Sequence, residues 1–270
     1  MPKLLRIFAS AGTLFVFGLP LLWMTSTSLK SAAEFTRNPW WFPASPTFVN
    51  YSRVISDSTI LNFFVNSLLV GIGSVLLTLA LAAPAAYALA RFPFRGRRAV
   101  EIVLLLGLTI PVHITLLPLL RITATMHLSD GLFGLSLVYA AFGTALTVFL
   151  LKTAFQQVPR ELEEAAMLDG CGRFRTFFLI SLPLIRPTLA VAAVYNFVMN
   201  YNEFAFALTL LRSGQVRTLP LGIMEFADSH GTDITATAAA ITLAVIPVFL
   251  LFIIAQRQII SGLTAGAVKG

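Results

Sequence analysis

Apolar residues run along this chain in long blocks rather than in short alternations. Stretches free of Asp, Glu, Lys and Arg cover 7–29, 58–90, 102–120, 131–151 and 234–256, and a sixth, 187–211, holds a single acid, Glu203. Each reaches the roughly 20 residues a helix needs to cross a hydrocarbon core about 30 Å thick. Lipid offers no partner to a backbone amide, so each block must satisfy its own hydrogen bonds and is predicted to be a helix. The pattern predicts an all-α membrane protein with six transmembrane helices, at about 7–29, 60–90, 101–120, 132–151, 187–211 and 235–256. The longest connection, 152–186, is too short for an independent soluble domain, so residues 1–270 form one membrane domain. Met1 to Arg6 has the charge of a signal-peptide start, and Ser31-Ala32-Ala33 the small residues of a cleavage site. The apolar stretch between them is longer than the 7–15 residues of a signal core, so it reads as a span.

Composition agrees. Charged residues make up 11% and hydrophobic ones 57%, whereas soluble domains carry about 25% charge. A net charge of +7 on so apolar a chain points to a membrane rather than to nucleic acid. The basic residues are unevenly placed. With the N-terminus inside, the inside segments 1–6, 91–101, 152–186 and 257–270 hold 13 Lys and Arg, against 6 in the outside segments 30–57, 121–130 and 212–233. By the preference of Lys and Arg for cytoplasmic loops, both termini are expected in the cytoplasm. Cys171, the only cysteine, excludes a disulfide framework and a Cys-rich zinc site.

Pro20, Pro84, Pro111, Pro118 and Pro247 fall in the spans. Each removes a helical hydrogen bond, and singly each fits ordinary bundle packing; five together predict a bundle that moves. Ala82-Ala83-Pro84-Ala85-Ala86 offers a small-residue surface for close helix approach. Nucleotide-cradling, metalloprotease and nucleophile-elbow motifs are missing, and His113, His127 and His230 are scattered without ligand spacing. With one acid inside the spans, the chain is not expected to be an enzyme, nor to hold a metal or a cofactor.

The informative segment is the 152–186 loop. Pro159 suits a first helical position and Gly170 the left-handed residue just past a helix end. Glu161, Glu163 and Glu164 lie where the helix dipole favours negative charge, and Leu162, Ala165, Ala166 and Asp169 follow helical spacing along one side. The predicted helix is about 15 Å long, acidic and small-faced, unlike the basic helices that lie on membranes. A protein partner explains it better. The Ala pair leaves a face smooth enough to enter a groove. The loop reads Glu164-Ala165-Ala166, three residues, Gly170, nine residues, Ile180, one residue, Leu182-Pro183. That spacing resembles the cytoplasmic motif of ABC-importer permeases, complete and in register. The resemblance extends over nearly the whole chain to the carbohydrate-uptake branch with its MalG-like subunits, through Asn50-Tyr51, Ala86-Tyr-Ala-Leu-Ala-Arg-Phe92, Asn202-Glu-Phe204 and the tail from Gly262 to Gly270. Many relatives have Trp where this chain has Tyr201.

The resemblance implies the ABC-importer permease fold and a membrane-spanning permease subunit of an ATP-driven sugar importer in a bacterial or archaeal plasma membrane. Such a subunit pairs with a second permease, two cytoplasmic ATPase subunits and an extracytoplasmic solute-binding protein. Mg-ATP is bound by the ATPases, and this chain carries no cofactor of its own. The 159–170 helix would be the coupling helix, with Glu164 pairing with a basic group of an ATPase, Ala165 and Ala166 allowing close approach, Asp169 on the same side, and Gly170 permitting the turn. In the fifth span Asn196, Asn200 and Glu203 share a face at i+4 and i+3 offsets, beside Tyr201. Amides, a carboxylate and an aromatic ring fit sugar hydroxyls and a sugar face; they fit bonds to a kinked backbone or a partner permease equally. The outside segment 212–233, with Arg212, Arg217, Glu225, Asp228, His230 and Asp233, resembles the binding-protein contact of relatives and is long for a mere connector. Two other classes remain at this stage: an ion-coupled secondary carrier, which needs more intramembrane acids, and a channel subunit. Neither requires a lever for an ATPase.

Overall fold

The computed structural model describes residues 3–212, 216–229 and 233–267. Among these the chain is helical, with no strand. The α-helices are α1 (Lys3–Ser28), α2 (Ala32–Arg37), α3 (Val49–Ser56), α4 (Ser58–Arg91), α5 (Arg97–Thr109), α6 (Leu116–Thr125), α7 (Leu132–Gln157), α8 (Arg160–Leu168), α9 (Arg173–Thr176), α10 (Leu182–Leu184), α11 (Arg186–Tyr201), α12 (Ala205–Leu210), α13 (Leu219–Ser229) and α14 (Ile234–Ala267). A 3-10 turn, Val112–Thr115, precedes α6, and a π-helical stretch, Phe177–Ser181, joins α9 to α10.

Four helical segments are each long and apolar enough to cross a membrane: Ser10–Ser28, Ser58–Arg91, Leu132–Gln157 and Ile234–Gln258. Two bent pairs make six if each pair counts as one span: Arg97–Thr109 with Val112–Thr125, bent by 94°, and Arg173–Leu184 with Arg186–Tyr201, bent by 77°. The first bend has a local cause. The ring of Pro111 drives the preceding residue out of the helical region, and Ile110 sits at φ −72° and ψ 121°. By contrast, Pro20, Pro84 and Pro247 lie inside continuous helices. The fifth apolar block is also divided: α11 stops at Tyr201 and α12 starts at Ala205.

The chain forms two compact units, residues 1–65 with 218–247, and residues 66–217 with 248–270. In the first, the turn after α1 is tied down by polar groups. Asn50 Nδ2 donates to Ser28 O (2.8 Å) and Lys30 O (2.7 Å), and the Ser28 and Tyr51 hydroxyls are 2.6 Å apart. Lys30 is fully buried, its Nζ donating to Asn38 O at 2.9 Å and Pro39 O at 3.3 Å. Burial holds its ammonium below the usual lysine range, against the opposing pull of the Glu34 carboxylate. In the second unit, the core is built from Ala82, Ala83, Ala86 and Ala90 of α4, Val148, Leu151 and Phe155 of α7, Phe177 and Ile185. Alanines on α4 let helix backbones approach closely, the usual solution where lipid supplies no hydrophobic drive.

Candidate functional site

The 152–186 loop folds around one buried carboxylate. α8 starts after Pro159, which takes the capping position rather than the first helical one, and ends before Gly170, whose φ is +84°. That left-handed backbone is cheap for glycine and strained for any residue with a Cβ. Glu163 and Ala166 face inward. The Glu163 carboxylate accepts from Arg91 Nε at 2.9 Å, Ser181 Oγ at 2.7 Å and Tyr87 OH at 3.4 Å. Arg91, buried like its partner, also donates from a terminal guanidinium nitrogen to Val158 O at 2.7 Å. A charge-assisted pair at the last residue of α4 thus fastens α8 to that span and to the π-helical stretch. Tyr87 packs its ring edge-on against Phe155 and tilted against Phe177, with centroids 5.2 and 5.0 Å away, so the network rests on an aromatic floor. Nearby, Glu101 accepts from Arg97 Nε (3.1 Å) and Lys152 Nζ (2.8 Å), joining α5 to α7.

The opposite side of α8 is exposed. Glu164, Ala165, Asp169 and Gly170 are exposed with Leu162 and Met167, and Leu168 is 89% exposed. The Ala pair is therefore divided, Ala165 outward and Ala166 inward. Sequence reasoning missed Glu163, Arg91, Tyr87 and Ser181. The available signal was an acid in register with Ala166 and the arginine next to last in the Ala86–Phe92 run.

The polar stripe of the fifth span is engaged within the chain. Asn196 is buried and donates to Thr147 Oγ1 at 2.9 Å and Ala192 O at 2.8 Å. Asn200 donates to Ser74 Oγ at 2.8 Å, and the buried Tyr201 ring stacks on Phe197 at 5.4 Å. Glu203 spans the break between α11 and α12: its carboxylate accepts from the amides of Phe206 (2.9 Å) and Ala207 (3.2 Å) and from Tyr139 OH (2.6 Å). It caps the orphan donors of α12, in the place where an anion is favoured. At the other end, the Asp130 amide donates to Leu210 O at 3.0 Å, and its carboxylate accepts from the Arg212 amide. Tyr139 was not foreseen; nothing in the sequence pairs a tyrosine of the fourth block with Glu203.

Close approach beside Asn196 depends on Gly143. A Cβ there would overlap Asn196 Oδ1 and come within 3.2 Å of Thr78 Oγ1. Gly143→Ala is expected to destabilise by about 1–3 kcal/mol, the usual cost of overpacking. Gly107→Ala, where a Cβ meets nothing within 4 Å, is expected to be neutral or slightly stabilising. Thermal unfolding of the two variants in detergent checks both.

In the 212–233 segment, α13 replaces a plain connector and exposes Glu225 and Asp228. Asp233 caps α14, accepting from Thr235 Oγ1 at 2.7 Å and the Ala236 amide at 3.2 Å, and pairs with Arg53 at 3.3 Å. Burial pushes its carboxyl up, but these hydrogen bonds and the Arg53 charge prevail and hold it below the ordinary value. His113 lies in the 3-10 turn, His127 takes a φ of 55°, and His230 lies outside the described residues.

Four long apolar helices, two bent pairs and a short helix anchored by its inner face define a polytopic helical membrane protein. A bacterial ABC transporter structure involved in import of the acidic polysaccharide alginate has the same fold, with a TM-score of 0.79, 24% identity, and coverage of 95% of this chain and 98% of that one. The profile of the family described as "Binding-protein-dependent transport system inner membrane component" matches residues 79–264, and the chain belongs to that family. It is 36% identical to the sulfoquinovosyl glycerol transport system permease protein of Agrobacterium fabrum, over 97% of this chain and 93% of that protein. It is also 36% identical to a diacetylchitobiose uptake system permease protein of Streptomyces coelicolor, over 93% and 84%. The protein is a multi-pass membrane permease of an ABC importer.

Proposed function

We propose that this permease imports a sugar or glycoside and that α8 is the helix through which ATPase motion reaches it. The observation that carries the reading is the two-sidedness of α8: Glu163 and Ala166 are fixed to the bundle while Leu162, Glu164, Ala165, Leu168 and Asp169 stand exposed. An element that transmits force needs one rigid attachment and one open face. The open face would enter a cleft of one of two cytoplasmic ATPase subunits, with Glu164 meeting a basic group and Gly170 setting the exit turn. A second permease completes the path, and a solute-binding protein docks on the 212–233 side. Mg-ATP sits on the ATPases, so no step of hydrolysis uses this chain. The basic bias of the loops supports an orientation with both termini in the cytoplasm. Sugar specificity is supported by the two relatives, each named for a glycoside-containing solute.

For the solute path we place Asn200 and Glu203 at the sugar hydroxyls and assign Asn196 and Tyr201 to shaping the helix behind them. A carboxylate offers about four acceptor positions, and the bonds to Tyr139, Phe206 and Ala207 occupy three. The test is ATP hydrolysis by the complete transporter in lipid vesicles, with binding protein and a panel of sugars. One sugar is expected to stimulate hydrolysis, and Glu164→Lys and Gly170→Asp are each expected to abolish that stimulation. Full stimulation and uptake in both variants would overturn the assignment of α8, and stimulation by no sugar would overturn the solute class.

A further inference from the structure

The stretch between α2 and α3 folds back along α1 and carries an aromatic run, Trp40-Trp41-Phe42, that the transport reading does not use. Trp40 and Trp41 are 78% and 76% exposed. Their position is fixed by backbone and side-chain bonds: Trp23 Nε1 donates to Pro39 O at 3.0 Å, the Trp23 and Trp40 rings lie 6.1 Å apart, and the buried Lys30 grips the Asn38 and Pro39 carbonyls. With Leu19 and Leu22 of α1, these rings line an apolar groove.

We infer that this groove is a seat for a phospholipid at the Lys30 end of α1, the rings lying at the headgroup boundary and the acyl chain running along α1. Depth is the first reason. Leu19 lies nine residues before the end of α1, or about 14 Å of rise, so the groove reaches well inside the charge-free block 7–29. A water-soluble partner does not reach that depth. Residue type is the second. Tryptophan concentrates where one end of a side chain is wet and the other apolar, whereas helix partners in membranes meet through small residues. Charge is the third. Glu34, Arg37 and Asn38 gather at α2, on the water side of the rings, while Lys30 is turned inward onto carbonyls. Held in this way, the run forms a fixed interfacial shelf rather than a floating loop.

The test uses the assembled transporter in phosphatidylglycerol–phosphatidylcholine vesicles, with Trp41→Cys made in a Cys171→Ser chain and carrying a nitroxide. Collision with oxygen is expected to exceed collision with a water-soluble nickel chelate several-fold. Equal or greater collision with the nickel chelate would mean a water-exposed loop, and low collision with both would mean a protein cover; either overturns the inference. A second measurement needs no substitution. All three tryptophans of the chain belong to this groove, so the intrinsic emission of the full chain in vesicles reports it alone. Lipids brominated near the headgroup are expected to quench that emission strongly, and unchanged emission would overturn the proposal.

Discussion

Replacing Glu163 by alanine is expected to lower the stability of the protein by about 3–5 kcal/mol, because it strands the buried Arg91 guanidinium without its counter-charge. Ser181 and Tyr87 lose an acceptor at the same time. Solute-stimulated ATP hydrolysis is expected to disappear with the anchor of α8, even at temperatures where the bundle stays folded. Glu163→Gln keeps the shape and an acceptor but removes the charge, and should fall between. The informative control is Glu163→Leu with Arg91→Met. Apolar replacement of a whole buried pair is often neutral or stabilising, so this variant should recover stability. If α8 must be held by a specific, rigid bond to α4, stimulated hydrolysis remains lost although the fold is restored. Thermal unfolding and hydrolysis measured on the same preparations separate the two effects.

Leu168→Asp is expected to have the opposite profile. The side chain is 89% exposed, so the isolated permease should unfold at the wild-type temperature. Burying a leucine at an interface contributes about 1.5–3 kcal/mol, which corresponds to roughly tenfold to a hundredfold in assembly with the ATPase. An aspartate at that position should cost at least as much, and high ATPase concentration should only partly restore uptake. A stable permease that fails to assemble is the expected signature of the outer face of α8. Glu163→Ala gives an unstable one instead.

How far the sequence reaches depends on the physics of each element. Charge-free blocks locate the apolar helices because the hydrocarbon core imposes one demand, internally satisfied backbone over a fixed length. The same demand is silent about where a block bends. Pro111 gives the third block a visible cause for its break, but five prolines look alike in sequence, and three of them sit in uninterrupted helices. The division of the fifth block has no proline at all; it rests on Glu203 reaching two amides ahead and a tyrosine from another helix. Around α8, local spacing marks Pro159 and Gly170 as its ends. Which glutamate turns inward is decided by Arg91, 72 residues earlier in the chain, and pairings at that distance leave no periodic trace. Asn196 and Asn200 share a face of α11 as their spacing predicts, but Glu203 does not join it, because the helix ends at Tyr201 and Glu203 lies in the break before α12. The partners Thr147, Ser74 and Tyr139 were not legible, because each comes from another helix.

Cross-linking from position 168 tests most directly whether α8 is the contact to the ATPase. With Leu168→Cys in a Cys171→Ser chain, a short bifunctional reagent applied to the assembled transporter is predicted to join the permease to an ATPase subunit, with a yield that changes when ATP is added. A cysteine at Ala166, packed against the bundle, is predicted to give no such product. Absence of an ATPase product from position 168, in a complex shown to be assembled and active, would contradict the account.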